Sequence, residues 1–214
     1  MPYFLDSNVI IGYIFSTTDH WGKAAVRAVE DPEPNHSGFA VRCECFGLGD
    51  TNLGRVRTIR KEVTSALRRV IFRLKRGQTL DRITADPNEN DRIREILVDI
   101  KAIAAGNPHR KIDELVSNSL RAFEGEVVQR QKIVEKQCTW HRRTTYYSDI
   151  SALLNQYILD DEDITVLLDA HDIALTLPGL VYVSGDYNHI VQNTSWILAH
   201  TQIMGVLPLG RFTE

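Results

Sequence analysis

The stretch Pro2-Tyr3-Phe4-Leu5-Asp6-Ser7-Asn8-Val9-Ile10-Ile11 decides the fold of this chain. Its apolar start, Pro2 to Leu5, reads as a strand that ends in the carboxylate of Asp6, and a second apolar run begins at Val9. In open α/β folds, ligands bind beyond the carboxyl edge of the sheet, where such a strand ends. The stretch therefore predicts an α/β sheet with Asp6 at its ligand-binding edge.

A second strand ends in the same way later in the chain. Leu180-Val181-Tyr182-Val183 is short and apolar, and Ser184-Gly185-Asp186 follows it directly. Parallel strands bring their carboxyl ends to one edge of a sheet. We therefore expect Asp6 and Asp186 to project from the same edge.

The remaining pattern alternates helices with short strands. That alternation predicts an α/β protein built as a three-layer α/β/α sandwich with a mainly parallel central sheet. Two further strands are predicted, at Phe39–Phe46 and at Ile203–Leu207. Helices are predicted at Val9–Phe15, Trp21–Val29, from Thr58 to about Gly77, at Ser151–Leu159, from Asp163 to about Leu177, and at Tyr187–Ala199.

The middle of the chain, residues 81–147, is polar and favours helices. Two helices are predicted in it, from Asp91 to Ala105 and from Ile112 to about Trp140. We interpret this region as a helical insertion in a single domain that spans residues 1–214.

The composition is that of an ordinary globular protein, with 43% hydrophobic and 25% charged residues. No apolar run approaches the ~20 residues that span a bilayer, and the N-terminus lacks the order of a signal peptide. We therefore expect a cytoplasmic protein with no membrane partner. Three cysteines fit reduced thiols, and Cys43, Cys45, Cys138 and His141 match no standard zinc spacing.

Basic residues cluster although the formal net charge is -3. Between Arg55 and Arg76 there are nine of them and a single acid, Glu62. Such a run is either a solvated helix face or a phosphate-binding surface.

Acidic residues form the second pattern. Asp6 and Asp186 follow strands, whereas Glu62 and either Asp163 or Asp169 lie on predicted helices. Clustered carboxylates repel one another unless a cation neutralises them, and Mg²⁺ and Mn²⁺ prefer oxygen ligands. The pattern predicts a divalent metal site. Each acid also has a structural interpretation, with Asp6 and Asp186 as helix caps and Glu62 as an ion-pair partner on its own helix.

Four segments together resemble the PIN-domain family of metal-dependent ribonucleases. Each resembles one family feature in the family's order: the first strand and aspartate, a helical glutamate, an aspartate helix, and a late strand that ends in Ser-x-Asp. The segments are Phe4–Ile10, Thr58–Val63, Asp163–Ala170 and Val181–Asp186.

The resemblance implies an endoribonuclease that hydrolyses phosphodiester bonds of single-stranded RNA with Mg²⁺ or Mn²⁺. Its catalytic and metal-binding residues would be Asp6, Glu62, Asp163 and Asp186, with Asp169 as a further catalytic candidate and Asp172 as another alternative for the helix ligand. Asn8 and Ser184 would orient a carboxylate or a metal-bound water. Arg60, Lys61, Arg68 and Arg69 would hold the RNA backbone.

Three alternatives stay open at this point. A PIN-like module could bind RNA or protein without cutting it, and a haloacid-dehalogenase-type phosphatase also begins with a strand and an aspartate. The phosphatase needs a second aspartate where this chain has Asn8. Within the ribonuclease interpretation, the chain is either a toxin with an antitoxin partner or an RNA-processing enzyme, and family members often form homodimers.

Overall fold

The sheet of this computed structural model, which describes residues 1–17, 20–48, 54–84, 91–106, 111–158 and 160–213, confirms the predicted parallel α/β class. Five strands in these ranges have the order β3-β2-β1-β4-β5, and every neighbouring pair is parallel. They are β1 (Tyr3–Leu5), β2 (Asn35–Gly38), β3 (Thr139–His141), β4 (Val181–Ser184) and β5 (Gly205–Pro208).

Helices complete a three-layer α/β/α sandwich. The α-helices in the described ranges are α1 (Ser7–Ile14), α2 (Gly22–Val29), α3 (Phe39–Phe46), α4 (Gly54–Lys75), α5 (Leu80–Thr84), α6 (Asp91–Gly106), α7 (Ile112–Gln137), α8 (Ser148–Leu154), α9 (Asp161–Thr176) and α10 (Thr194–His200). One group packs around α1, which contacts α2, α3 and α7, and another around α8, which contacts α9 and α10. None of the helices in the described ranges has the length and apolar character needed to cross a membrane.

Strand β1 lies at the centre of the sheet, and two of its three side chains are apolar and buried. Phe4 and Leu5 have no exposed surface, and the Phe4 ring stacks on that of Tyr182 in β4. The register pairs Leu5 with Val183, and the Asp6 amide donates to the Val183 carbonyl over 3.1 Å. This register brings the residue after β1 beside the residues after β4, as predicted for Asp6 and Asp186.

The prediction of a strand at Phe39–Phe46 is wrong. This segment is helix α3, and the strand of the sheet is the preceding segment, β2. Val41 and Cys45 are the buried residues of α3, and their separation of four is the spacing of one helix face. The alternation of apolar residues in this segment therefore predicted the wrong type of secondary structure. In a helix, Glu44 lies on a different face of the segment than it would in a strand.

Two other predicted helices are shorter than expected. The predicted helix from Ile112 to Trp140 ends at Gln137, and the next residues form β3, which adds an edge strand next to β2. The predicted helix Tyr187–Ala199 begins only at Thr194, after turns and a short 3₁₀ segment. The Asp186 carboxylate accepts the His189 amide over 2.9 Å, and this bond holds the first turn.

The middle helices share the main hydrophobic core. Helix α7 buries Leu120, Phe123 and Val127 and packs against α4, α6 and α1. The Phe123 ring lies 6.0 Å from that of Phe15, directly after α1. The region interpreted as an insertion is therefore packed on the helix that begins at Asp6.

Candidate metal centre

Asp6 is a buried carboxylate held by three donors. The Ser7 amide donates to Oδ1 over 2.7 Å, and the Asn8 amide group and the Ser184 hydroxyl donate to Oδ2 over 2.8 and 2.6 Å. Asp6 is thus the N-cap of α1, as its structural interpretation required. Both residues predicted to orient a carboxylate, Asn8 and Ser184, hydrogen-bond this one.

Burial makes the charged form of Asp6 costly. It raises the pKa of this carboxyl to about 6, although the hydrogen bonds from Ser184 and Ser7 act in the opposite direction. The negative charge of Glu44 also contributes to this rise. A buried acid with a raised pKa at a sheet edge is a candidate functional group, because structural carboxylates are usually paired with a cation.

Asn8 joins the two strand ends. Its amide nitrogen also lies 3.2 Å from the Ser184 hydroxyl, and its carbonyl oxygen accepts the Gly185 amide over 2.7 Å. The Asp186 amide donates to the Ser184 hydroxyl over 3.0 Å. A Cβ at Gly185 would lie 3.2 Å from the Asn8 oxygen, so a larger residue would disturb this junction.

Asp163, Asp186 and His189 form a group that could hold a metal ion. One ligand atom from each lies within 4.8 Å of the others, and no other such group occurs among the described residues. Nδ1 of His189 lies 3.3 Å from an oxygen of Asp163 and 3.3 Å from one of Asp186. His189 was not predicted as a site residue from the sequence, where it follows Asp186 by three residues in a segment predicted to be helical.

Asp163 carries the strongest sign of carboxylate crowding. Burial, together with the charges of Asp6, Asp160 and Asp186, raises its pKa to about 6, while His189 opposes this rise. Asp163 and Asp186 are half-buried and His189 is exposed, so a cation could enter from solvent. Carboxylate oxygens beside an imidazole nitrogen suit Mn²⁺, and the oxygens alone suit Mg²⁺.

Glu44 was not predicted as a site residue, because its segment was predicted to be a strand and is helix α3. It lines a cavity of about 560 Å³ together with Asn8, Asp163, Asp186 and His189. Its carboxylate accepts a 2.8 Å ion-paired hydrogen bond from Arg55 at the start of α4. Val41 and Cys45 form the buried face of helix α3, and Glu44 lies next to that face.

The other predicted acids lie elsewhere. Glu62 is exposed on α4, and it is absent from the lining of this cavity in the described part of the chain. Asp169 is 4% exposed, accepts the Ala40 amide over 2.9 Å and pairs with Arg143 at 3.4 Å. Asp172 accepts the Tyr147 hydroxyl. Of the three acids considered on α9, Asp163 is therefore the one that lies with Asp186.

The basic residues predicted to bind RNA separate into two sets. Lys61 and Arg69 are exposed and line a hollow with Arg57. Arg68 instead pairs with Glu124 of α7 at 3.9 Å, and Arg60 is half-buried. These last two lie outside the linings of the hollows that border α4 in the described ranges.

The cysteines form no zinc site with His141 among the described residues. All three thiols are free, and burial raises the pKa of Cys138 to about 12. Nε2 of His141 lies 2.9 Å from Nδ1 of His36 instead. The cysteines therefore behave as ordinary buried or partly buried thiols.

Metal affinity should depend steeply on pH. The carboxyls of Asp6 and Asp163, with pKa values of about 6, hold protons at pH 5 that they have lost at pH 7. A metal that binds beside these carboxyls needs them charged, so its affinity should fall as the pH falls through 6, by about tenfold per carboxyl between pH 7 and 5. Calorimetry with Mn²⁺ at pH 5, 6 and 7 measures this.

The matched variant is Asp163→Asn, which removes one of the two titrating carboxyls. Its Mn²⁺ affinity should be weaker at pH 7, and its dependence on pH should be about one proton shallower. An affinity that is equal at pH 5 and pH 7 in the unmodified protein would exclude a contribution of these two carboxylates to metal binding.

Comparison of the chain with family models, with curated proteins and with solved structures finds no match. The functional interpretation therefore depends on the geometry and chemistry of the site.

Proposed function

We propose that this chain is a metal-dependent endoribonuclease that hydrolyses phosphodiester bonds of single-stranded RNA. The observation that carries the proposal is the convergence of Asp6, Asp163 and Asp186 at the carboxyl edge of a parallel sheet. These acids come from the end of β1, the first turn of α9 and the end of β4. The charges of Asp6 and Asp186 both raise the pKa of Asp163, so the three carboxylates are close enough to interact.

The charge balance of the cavity supports a divalent cation. Besides Asp163 and Asp186, its lining includes the acids Glu44, Asp160 and Glu162, and the cation Arg55 already pairs with Glu44. An anionic phosphodiester would be repelled from such a cavity unless a bound cation reversed the local charge. Asp163 and Asp186 would hold a Mg²⁺ or Mn²⁺ ion, with Asp6 and Glu44 contributing negative charge beside it.

The ion, when bound, supplies Lewis-acid polarisation of the scissile phosphate and a lowered pKa for the attacking water. The chain itself provides orientation. Ser184 and Asn8 fix the Asp6 carboxylate by hydrogen bonds, and partners of this kind typically change metal affinity or activity by 10–100-fold when they are removed. Nδ1 of His189 lies 3.3 Å from an oxygen of Asp163 and 3.3 Å from an oxygen of Asp186, so it could join both carboxylates in holding the ion.

The phosphatase alternative gains no support from Asn8. That mechanism needs an acid at this position, whereas the Asn8 amide binds Asp6 and Ser184 and its oxygen accepts the Gly185 amide. Its side chain is thus committed to holding the strand ends together. An inert PIN-like module is distinguished from an enzyme by its metal affinity and by cleavage.

Calorimetry with Mn²⁺ at pH 7.5 tests the proposed metal centre. The Asp163→Asn variant should bind Mn²⁺ at least about tenfold more weakly than the unmodified protein, because one charged ligand is lost. The matched variant Glu62→Gln also removes one carboxylate charge, but on α4, and its Mn²⁺ affinity should stay within about twofold. Absence of Mn²⁺ binding in the unmodified protein, or equal weakening in both variants, would contradict the assignment.

A further inference from the structure

Three hollows adjoin one another along helix α4. The acidic cavity of about 560 Å³ shares Glu44, Arg55 and Glu162 with a middle hollow of about 870 Å³ between α3, α4 and α9. The middle hollow shares Thr58, Glu62 and Val63 with a third hollow of about 480 Å³, which α4 forms with Ile93 of α6. Because neighbouring hollows share lining residues, the three form one groove. The groove begins at the acidic cavity, which is called the acidic centre below.

The charges along this groove change sign with distance from the acidic centre. The third hollow is lined by three cations, Arg57, Lys61 and Arg69, against the acid Glu62. All three cations are exposed. Arg57 and Arg69 are twelve residues apart on one helix, which is about 18 Å along its axis. This length can accommodate more than one backbone phosphate.

The middle hollow has a different chemistry. Its lining includes three apolar residues, Ile59, Val63 and Val166, and four acids. These acids are Glu44, Glu62, Asp161 and Glu162. Carboxylates accept hydrogen bonds from the amino and imino groups of nucleobases, whereas they repel phosphates. Its volume is in the usual range of pockets for small organic groups, so a nucleobase fits where a backbone phosphate does not.

We propose that single-stranded RNA binds along α4, with a nucleobase in the middle hollow and backbone phosphates on Arg57, Lys61 and Arg69. This inference depends on the proposed ribonuclease function, because the groove begins at the acidic centre. Arg55, which pairs with Glu44, lines both the acidic cavity and the middle hollow, beside the path that the RNA backbone would take from one to the other. An acidic protein segment fits less well, since the carboxylates of the middle hollow would repel it.

The same helix supplies matched controls. Arg60 and Arg68 are outside the described linings of the groove, and Arg68 pairs with Glu124. The test compares Arg57→Ala/Lys61→Ala/Arg69→Ala with Arg60→Ala/Arg68→Ala, each in an Asp186→Asn chain, in which cleavage should be too slow to consume the RNA during the measurement. The probe is a fluorescein-labelled single-stranded RNA of about 12 nucleotides, within the usual site sizes for single strands. Binding is measured by fluorescence anisotropy in Mn²⁺.

The triple variant should bind this RNA at least about thirtyfold more weakly near physiological salt. Each lost phosphate contact on a single strand should reduce the slope of log affinity against log salt by about 0.7, so the slope should fall by about 2. The double variant should change affinity by no more than about threefold, with a smaller change of slope. A melting temperature close to that of the parent chain verifies that the triple variant is folded.

Two results would overturn the groove assignment. One is an equal loss of RNA affinity in the triple and double variants, and the other is competition by polyglutamate as effective as that by unlabelled RNA. Failure of the proposed function looks different. In that case RNA binding depends on Arg57, Lys61 and Arg69, but the chain with Asp186 intact cleaves no RNA in Mn²⁺.

Discussion

The Asp186→Asn variant should cleave single-stranded RNA about a thousandfold more slowly than the unmodified protein in Mn²⁺. Asparagine keeps the size of the side chain but removes the charge that, in the proposed centre, would hold a divalent cation beside Asp163 and His189. Its oxygen can still accept the His189 amide, so the turn after β4 should persist. Initial rates of cleavage of an end-labelled RNA measure the loss, and unchanged cleavage would exclude Asp186 from the active centre.

Asp6→Asn should reduce cleavage by a similar factor, with a different effect on folding. The new amide nitrogen would face one of the donors that now bind Asp6, which is destabilising. The variant also removes a buried charge that is unfavourable above pH 6, which is stabilising. We therefore expect a small change of melting temperature at pH 7.5. The control is Asp149→Asn, an exposed aspartate on α8, which should cleave RNA at the unmodified rate.

Asp169→Ala should lower the free energy of unfolding by about 3–5 kcal/mol, because it breaks a buried ion pair. The side chains of Asp169 and Arg143 are 5% and 17% exposed and lie 3.4 Å apart. One guanidinium nitrogen of Arg143 already has no hydrogen-bond partner among the described residues. The variant also loses the acceptor for the Ala40 amide, which lies in the first turn of α3. Urea unfolding followed by tryptophan fluorescence measures the effect.

Two further variants separate the contributions of Asp169. Asp169→Ala/Arg143→Met removes both charges and should recover part of the stability, since no unpaired buried charge remains. Asp149→Ala, on the surface of α8, should change the stability by less than about 0.5 kcal/mol. A stability loss below that value for Asp169→Ala would mean that the Arg143 pair and the Ala40 contact contribute little.

Local sequence was sufficient for the two strands that define the edge of the sheet. An apolar run that ends in a carboxylate predicts both a strand and an acid at the carboxyl end of that strand. Leu5-Asp6 and Val183-Ser184-Gly185-Asp186 are the two examples in this chain. The parallel class also followed from local alternation of helices and strands. Both signals are local because side-chain periodicity and chain direction are properties of neighbouring residues.

Helix α9 shows where local information ended. Asp163 and Asp169 are six residues apart on one helix, which turns them to different faces. Only the packing of α9 reveals that Asp163 faces the strand ends, whereas Asp169 faces α3 and Arg143. Spacing to Asp186 alone could not separate a ligand from a buried structural acid.

The remaining parts of the candidate site depended on contacts between distant segments. Helix α3 has the alternating apolar residues of a strand, but Asp169, 129 residues later, accepts the Ala40 amide in its first turn. That arrangement brings Glu44 to the acidic cavity, and the turn after β4 brings His189 there. A stretch such as Leu5-Asp6-Ser7-Asn8 specifies its own strand and cap, because those interactions are between neighbours. Which other acids join Asp6 is decided by the folded chain, because burial and charge proximity exist only there.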